Sequence, residues 1–155
     1  MTTILDVPAT EAYSLTEALQ EPLRSESVTL PDPDEVGFED LLLQKLGPRG
    51  WGRVCHFRQY YGLGWGEGGG KPLSPRAVEA FRRFLQDAHF PEGRWPSVFL
   101  TDGGGLELCW EDGNGKAIQV EFNSKGIEYY HEAANQEAAT GFDGIPVLAR
   151  RLGRA

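Results

Sequence analysis

The chain has 155 residues, 40% of them apolar and 25% charged, which argues against global disorder and suits one domain with its own core. A net charge of −8 argues against nucleic acid as the main partner, because phosphate binding needs concentrated Lys and Arg. No apolar run approaches the roughly 18 residues of a membrane span, no basic-then-apolar leader opens the sequence, and two cysteines, Cys55 and Cys109, cannot staple such a chain, so a reduced cytoplasmic setting is expected.

The charge is segregated. Residues 1–46 carry 10 acidic and 2 basic side chains, residues 47–96 carry 4 and 8, residues 97–140 carry 8 and 2, and residues 141–155 carry 1 and 3. Blocks this uneven either fold onto one another or present single-signed faces to partners.

Residues 1–33 read as an acidic, loosely structured arm. Within it, Ser14 and Glu17 fit a capping box for a short helix over Leu15–Gln20, limited by Pro22. From Asp34 the pattern turns helical, with Phe38, Leu41, Leu42 and Leu46 recurring at three or four residues, and Gly47-Pro48 stops it. Residues 51–61 fit either a helical face (Val54, Phe57, Tyr61) or an aromatic strand, and helix is the preferred reading. Gly62 to Pro72 must be loop, since glycine at this density is too costly in backbone entropy inside a regular element. Ser74-Pro75 then caps a helix over 75–88, with Val78, Phe81, Leu85 and Ala88 as its buried stripe, widened by Phe84.

After Pro96 the period changes from 3.6 to 2. Residues 97–101, 105–111, 116–122 and 126–130 are short alternating runs separated by hairpin chemistry. Leu106, Leu108, Trp110, Ile118, Val120, Phe122, Ile127 and Tyr129 fall on one face, and Glu107, Cys109, Glu111, Gln119, Glu121, Glu128 and Tyr130 on the other. A short helical turn is expected over 131–140, and a basic, only partly ordered tail over 141–155. The expected architecture is therefore α+β: helices followed by a four-stranded antiparallel β-meander packed on the helix over 75–88, in one domain over 34–140.

Chemical signatures are sparse. Gly64, Gly66 and Gly69 match G-x-G-x-x-G, but no buried strand precedes them and Lys71-Pro72-Leu73 separates them from the helix. Cys55, His56, His89, Cys109 and His131 show no spacing that pre-orients metal ligands. No G-x-S-x-G elbow occurs, and adjacent Cys55-His56 do not orient one side chain toward the other. Glu107, Glu121 and Glu128 could stand side by side on neighbouring strands, as the carboxylates of a metal-dependent nuclease must. Acidic residues on an open sheet face equally serve solvation and edge protection. Trp51, Tyr60, Tyr61, Trp65 and Trp95 are interspersed with Arg49, Arg53, Arg58, Arg76, Arg82, Arg83 and Arg94, a composition typical of binding hot spots. The alternative is that these aromatics are core, as expected of Trp110 and Trp95.

Gly64-Trp65, Gly69 and Lys71-Pro72-Leu73-Ser74, followed by a helix, resemble small bacterial proteins with a Gly-Trp-Asp-Gly-x-Gly-Ala-x-Pro-Ile loop. The resemblance continues through Pro96-Ser97, Asp102-Gly103-Gly104 and Leu106-Glu107-Leu108-Cys109-Trp110, covering roughly residues 50–130. Gly66 stands where that family has Asp, and Glu67-Gly68 where it has Gly-Tyr. The resemblance implies an architecture and is silent on activity.

The function expected from these features is a non-enzymatic, acidic protein-binding module of bacterial or phage origin, of antitoxin, immunity or anti-defence inhibitor type, acting on a basic protein. The expected partner-binding residues are Glu107, Glu111, Glu121 and Glu128, with Trp65 and Arg82, and no cofactor. The alternative is a divalent-metal-dependent hydrolase or nuclease using the sheet-face carboxylates.

Overall fold

A computed structural model describes residues 33–66 and 68–153; the helix expected over Leu15–Gln20 lies outside them. The chain divides between Val36 and Gly37, and the second unit, from Gly37 onward, holds the sheet and the helices that pack with it.

The first helix among the described residues, α1 (Pro33–Tyr60), is broken where Gly47-Pro48 predicts a stop. Gly47 has φ 75° and ψ 178°, which ends one helical stretch and lets Pro48 open the next. Phe38, Leu42 and Leu46 bury one side of the first stretch, and Val54 and Phe57 bury one side of the second, so the helical reading of 51–61 holds through Tyr60.

Helix α2 (Pro75–Asp87) is capped by Ser74, whose hydroxyl accepts from the Ala77 N–H at 3.4 Å. Ala77, Ala80, Phe81, Phe84 and Leu85 form its buried face. Helix α3 (Ile145–Leu152) packs beside it, and just past the ends of the two helices a Cβ at Gly153 would lie 2.8 Å from the Ala88 Cα. Ile145, Leu148, Ala149 and Leu152 are buried. The expectation of a partly ordered tail therefore fails over 145–152. Its apolar residues fall at i, i+3, i+4 and i+7, and a core that can take that stripe orders it.

Five strands form one antiparallel sheet in sequence order: β1 (Ser97–Leu100), β2 (Leu106–Glu111), β3 (Ala117–Asn123), β4 (Gly126–His131) and β5 (Gln136–Thr140). The first four match the expected runs to within a residue or two. The fifth replaces the helical turn expected over 131–140. Gln-Glu-Ala-Ala-Thr has weak strand propensity, and its conformation is imposed by pairing with β4, from His131↔Gln136 to Ile127↔Thr140. Asn135, at φ 45°, makes the reversal between them.

One sheet face is the core. Val98, Leu106, Leu108, Ile118, Val120 and Phe122 are fully buried, and Phe122 meets Phe81 and Phe84 edge-on at centroid distances of 5.1 and 5.3 Å. At the outer edge of β1, the Arg53 Nε–H donates to the Val98 carbonyl at 2.9 Å, which protects an otherwise open strand.

Candidate functional site: the acidic sheet face

Strand register decides which side chains meet on the face turned away from α2. Glu107 pairs with Glu121, and Glu121 with Glu128, so three carboxylates stand in one row across β2, β3 and β4. Directly opposed residues in a sheet have Cβ atoms about 5 Å apart, where like charges repel. The row continues to Phe99 on one side and Ala139 on the other. Beside it runs a second row, Cys109, Gln119, Tyr130 and Glu137. Members of both rows, Glu107, Glu121, Glu128, Gln119, Tyr130 and Glu137, line a shallow groove of about 420 Å³.

The electrostatics follow from this geometry. Burial raises the Glu121 pKa above the ordinary 4.5, and the flanking Glu128 and Glu107 carboxylates push it further. Among the described residues, no Lys, Arg or His lies within ion-pair distance of the three glutamates. The Cys109 thiol donates to Glu107 Oε1 at 3.2 Å. Burial, then this carboxylate, pushes the thiol up to about 12, so Cys109 is a hydrogen-bond donor here and a poor nucleophile.

The other expected site residues lie elsewhere. Glu111 is on the same face but is held by Arg94, Nη1 to Oε2 at 2.6 Å. Arg82 is on α2, where its guanidinium forks onto Glu79 at 2.9 and 2.7 Å. That hydrogen bond lowers the Glu79 pKa, and Arg83 contributes from 3.0 Å.

Trp65 belongs to the glycine-rich loop. Its indole N–H donates to the Lys71 carbonyl at 2.6 Å, and its ring covers Gly70 where a Cβ would clash. The Gly64, Gly68, Gly69 and Gly70 N–H groups all donate to carbonyls within the loop, leaving none of these four amides to cradle a phosphate. The loop is also tied to the β1–β2 turn, through Lys71 N–H to Asp102 O at 3.0 Å and Ser74 N–H to Gly104 O at 2.8 Å. The two glycine segments that carry the resemblance are thus one locked structure.

Sequence reasoning missed Glu137, Tyr130's neighbour across the groove, because β5 was expected to be helical. It also placed Trp95 in the core, whereas that residue stands 62% exposed; Trp110, by contrast, is buried at 8%. The signal for Trp95 was the nearby prolines, Pro91 and Pro96, which place it on the connecting segment just before β1.

Among the described residues, no three His, Cys, Asp or Glu side chains come together in a metal-holding arrangement, and no helix is long and apolar enough to cross a membrane. No protein-family model, curated protein or solved structure matches the chain. Function is therefore read from the surface itself.

Proposed function

We propose that the protein is a non-enzymatic binding module that holds a basic protein on the acidic face of its sheet, in the manner of an antitoxin, immunity protein or anti-defence inhibitor. The observation that carries this reading is the in-register row Glu107, Glu121 and Glu128, unpaired with cations among the described residues. Such a row is under mutual repulsion in the free protein, and a cationic partner converts that repulsion into attraction. A partner with a concentrated basic surface, such as the nucleic-acid channel of a nuclease, has the complementary chemistry. Steered association of this kind is fast and salt-sensitive. The hydrolase alternative needs side chains that converge on one ion, and among the described residues no three His, Cys, Asp or Glu do so.

The test is kinetic. Against the partner recovered from the native host, Glu107→Lys with Glu121→Lys is expected to slow association on the order of tenfold or more at low salt. Folding stability should change by less than about 1 kcal/mol, as for most surface substitutions. An unchanged association rate overturns the proposal. Saturable magnesium or manganese binding that is lost in the same variant would favour the hydrolase instead.

A further inference from the structure

We propose that the surface around Trp95 is a second docking site, opposite in sign to the sheet face, for a short acidic segment of a protein partner that carries an aromatic side chain. The site is independent of the acidic-face reading and stands or falls separately.

Trp95 is exposed but not loose. Gly47, at φ 75°, brings backbone against the indole, and a Cβ there would lie 2.7 Å from the ring. On its other side Pro96 is buried and leads into β1. An aromatic fixed in this way has little conformational freedom left to lose on binding.

The indole forms a shared wall between two recesses of about 560 and 550 Å³. Lys45, His89 and Arg94 line the first, and Arg49, Arg53 and Phe99 the second. Glu92 is the one acidic side chain lining either recess among the described residues. This local excess of cations stands out on a chain of net charge −8.

These cations are positioned but mostly not neutralised. Lys45 Nζ donates to the Ala88 carbonyl at 2.7 Å. Arg53 donates to the Val98 carbonyl, and its guanidinium carbon lies 5.3 Å from the Phe99 ring centroid and 5.4 Å from that of Phe57. Neutral carbonyls and rings hold these groups in place and leave their charge uncompensated. Among the described residues, no carboxylate is within ion-pair distance of Arg49 or Arg53; Arg94 alone is paired, to Glu111. A rigid exposed Trp flanked by Arg is the composition that dominates binding hot spots.

The surroundings limit the length of the occupant. Phe99 is paired with Glu107, so the glutamate row begins one strand away, and Glu111 stands beside Arg94. A nucleic-acid strand, with a charge at every phosphate, would run from the cations onto these carboxylates. A short peptide, with a few carboxylates around one ring to pack on Trp95, would not.

The experiment is calorimetric titration, at low salt, of a short peptide made of aspartates around a central phenylalanine. Saturable binding is expected, weakened about tenfold or more in both Trp95→Ala and Arg49→Glu. The acidic-face variant carrying Glu107→Lys and Glu121→Lys should bind this peptide at least as well as the wild type. Among the described residues no carboxylate is within ion-pair distance of Arg49, so Arg49→Glu keeps the test decisive if Trp95→Ala disturbs the turn at Gly47. The proposal is overturned if the peptide does not bind saturably, if the same peptide with asparagines binds equally, or if neither substitution weakens binding. It is also overturned if a single-stranded oligothymidylate binds at Trp95 more tightly than the peptide.

Discussion

The two faces of the sheet are built from alternate residues of the same strands, yet they are held in opposite ways. On the core face Phe122 is fully buried between Phe81 and Phe84, and every neighbour adds to its stability. One residue before it, Glu121 faces Glu107 and Glu128, and its neighbours work against its charge. The core face accounts for why the chain folds. The other face tolerates a repulsion that solvent screens, which is the condition under which a surface stays available to a partner.

The largest break in this comparison is expected at the core. Phe122→Ala removes a ring packed against two others, and should destabilise the protein by about 3–5 kcal/mol in urea unfolding, with little change in the denaturant slope. A loss below about 1 kcal/mol would show that the faces are less different than their burial implies.

A smaller, sign-sensitive effect is expected at Glu121. Its folded pKa is raised, so between the ordinary 4.5 and the raised value the folded state binds more protons than the unfolded chain. This group's contribution to stability therefore falls as pH rises through that window. Glu121→Gln should be more stable than the wild type at pH 7, by about 0.5 kcal/mol, and should lose that advantage towards pH 4. Asp112 provides the contrast. Its carboxylate accepts the Lys116 and Asn114 N–H groups at 2.9 and 2.8 Å. The Lys116 N–H is the main cause of a pKa below the usual 3.8, and His131 and Lys116 add to the lowering. Its contribution is present above 3.8 and is lost as pH falls through the lowered value. Urea titrations of both proteins at pH 7 and pH 4 check the difference, and a pH-independent gap would remove the electrostatic account of the row.

The smallest effect concerns chemistry. With its thiol pushed up to about 12, Cys109 should alkylate slowly with iodoacetamide at pH 8. Glu107→Gln removes the nearby charge and should speed the reaction, while burial, the larger cause, keeps it slower than for an exposed thiol. Equal rates in the two proteins would show that Glu107 does not act on Cys109.

The sequence was legible where local chemistry and burial agree. Ser74-Pro75 and the Phe81–Leu85 stripe locate α2 from residue types alone, and alternation gives four strands and the membership of both faces. It was misread where the two disagree. Residues 136–140 have helix-forming composition and become a strand because β4 offers an unpaired edge. Residues 145–152 lie in a segment punctuated by Gly and Pro and become a buried helix because the core beside α2 takes up their apolar stripe, Ile145, Leu148, Ala149 and Leu152. Glu137 joins the acidic groove only through that misread strand.

By itself, then, the order of residues determined the strand period, the helix caps, the break at Gly47-Pro48 and the sign of each sheet face, since all of these follow from neighbours within a few positions. Tertiary structure alone decided the register that puts Glu107, Glu121 and Glu128 in one row, and the packing that sets Trp95 beside Arg49 and Arg53. Both depend on contacts between residues distant in the chain, where a shift of one residue in pairing would turn a strand's side chains to the other face.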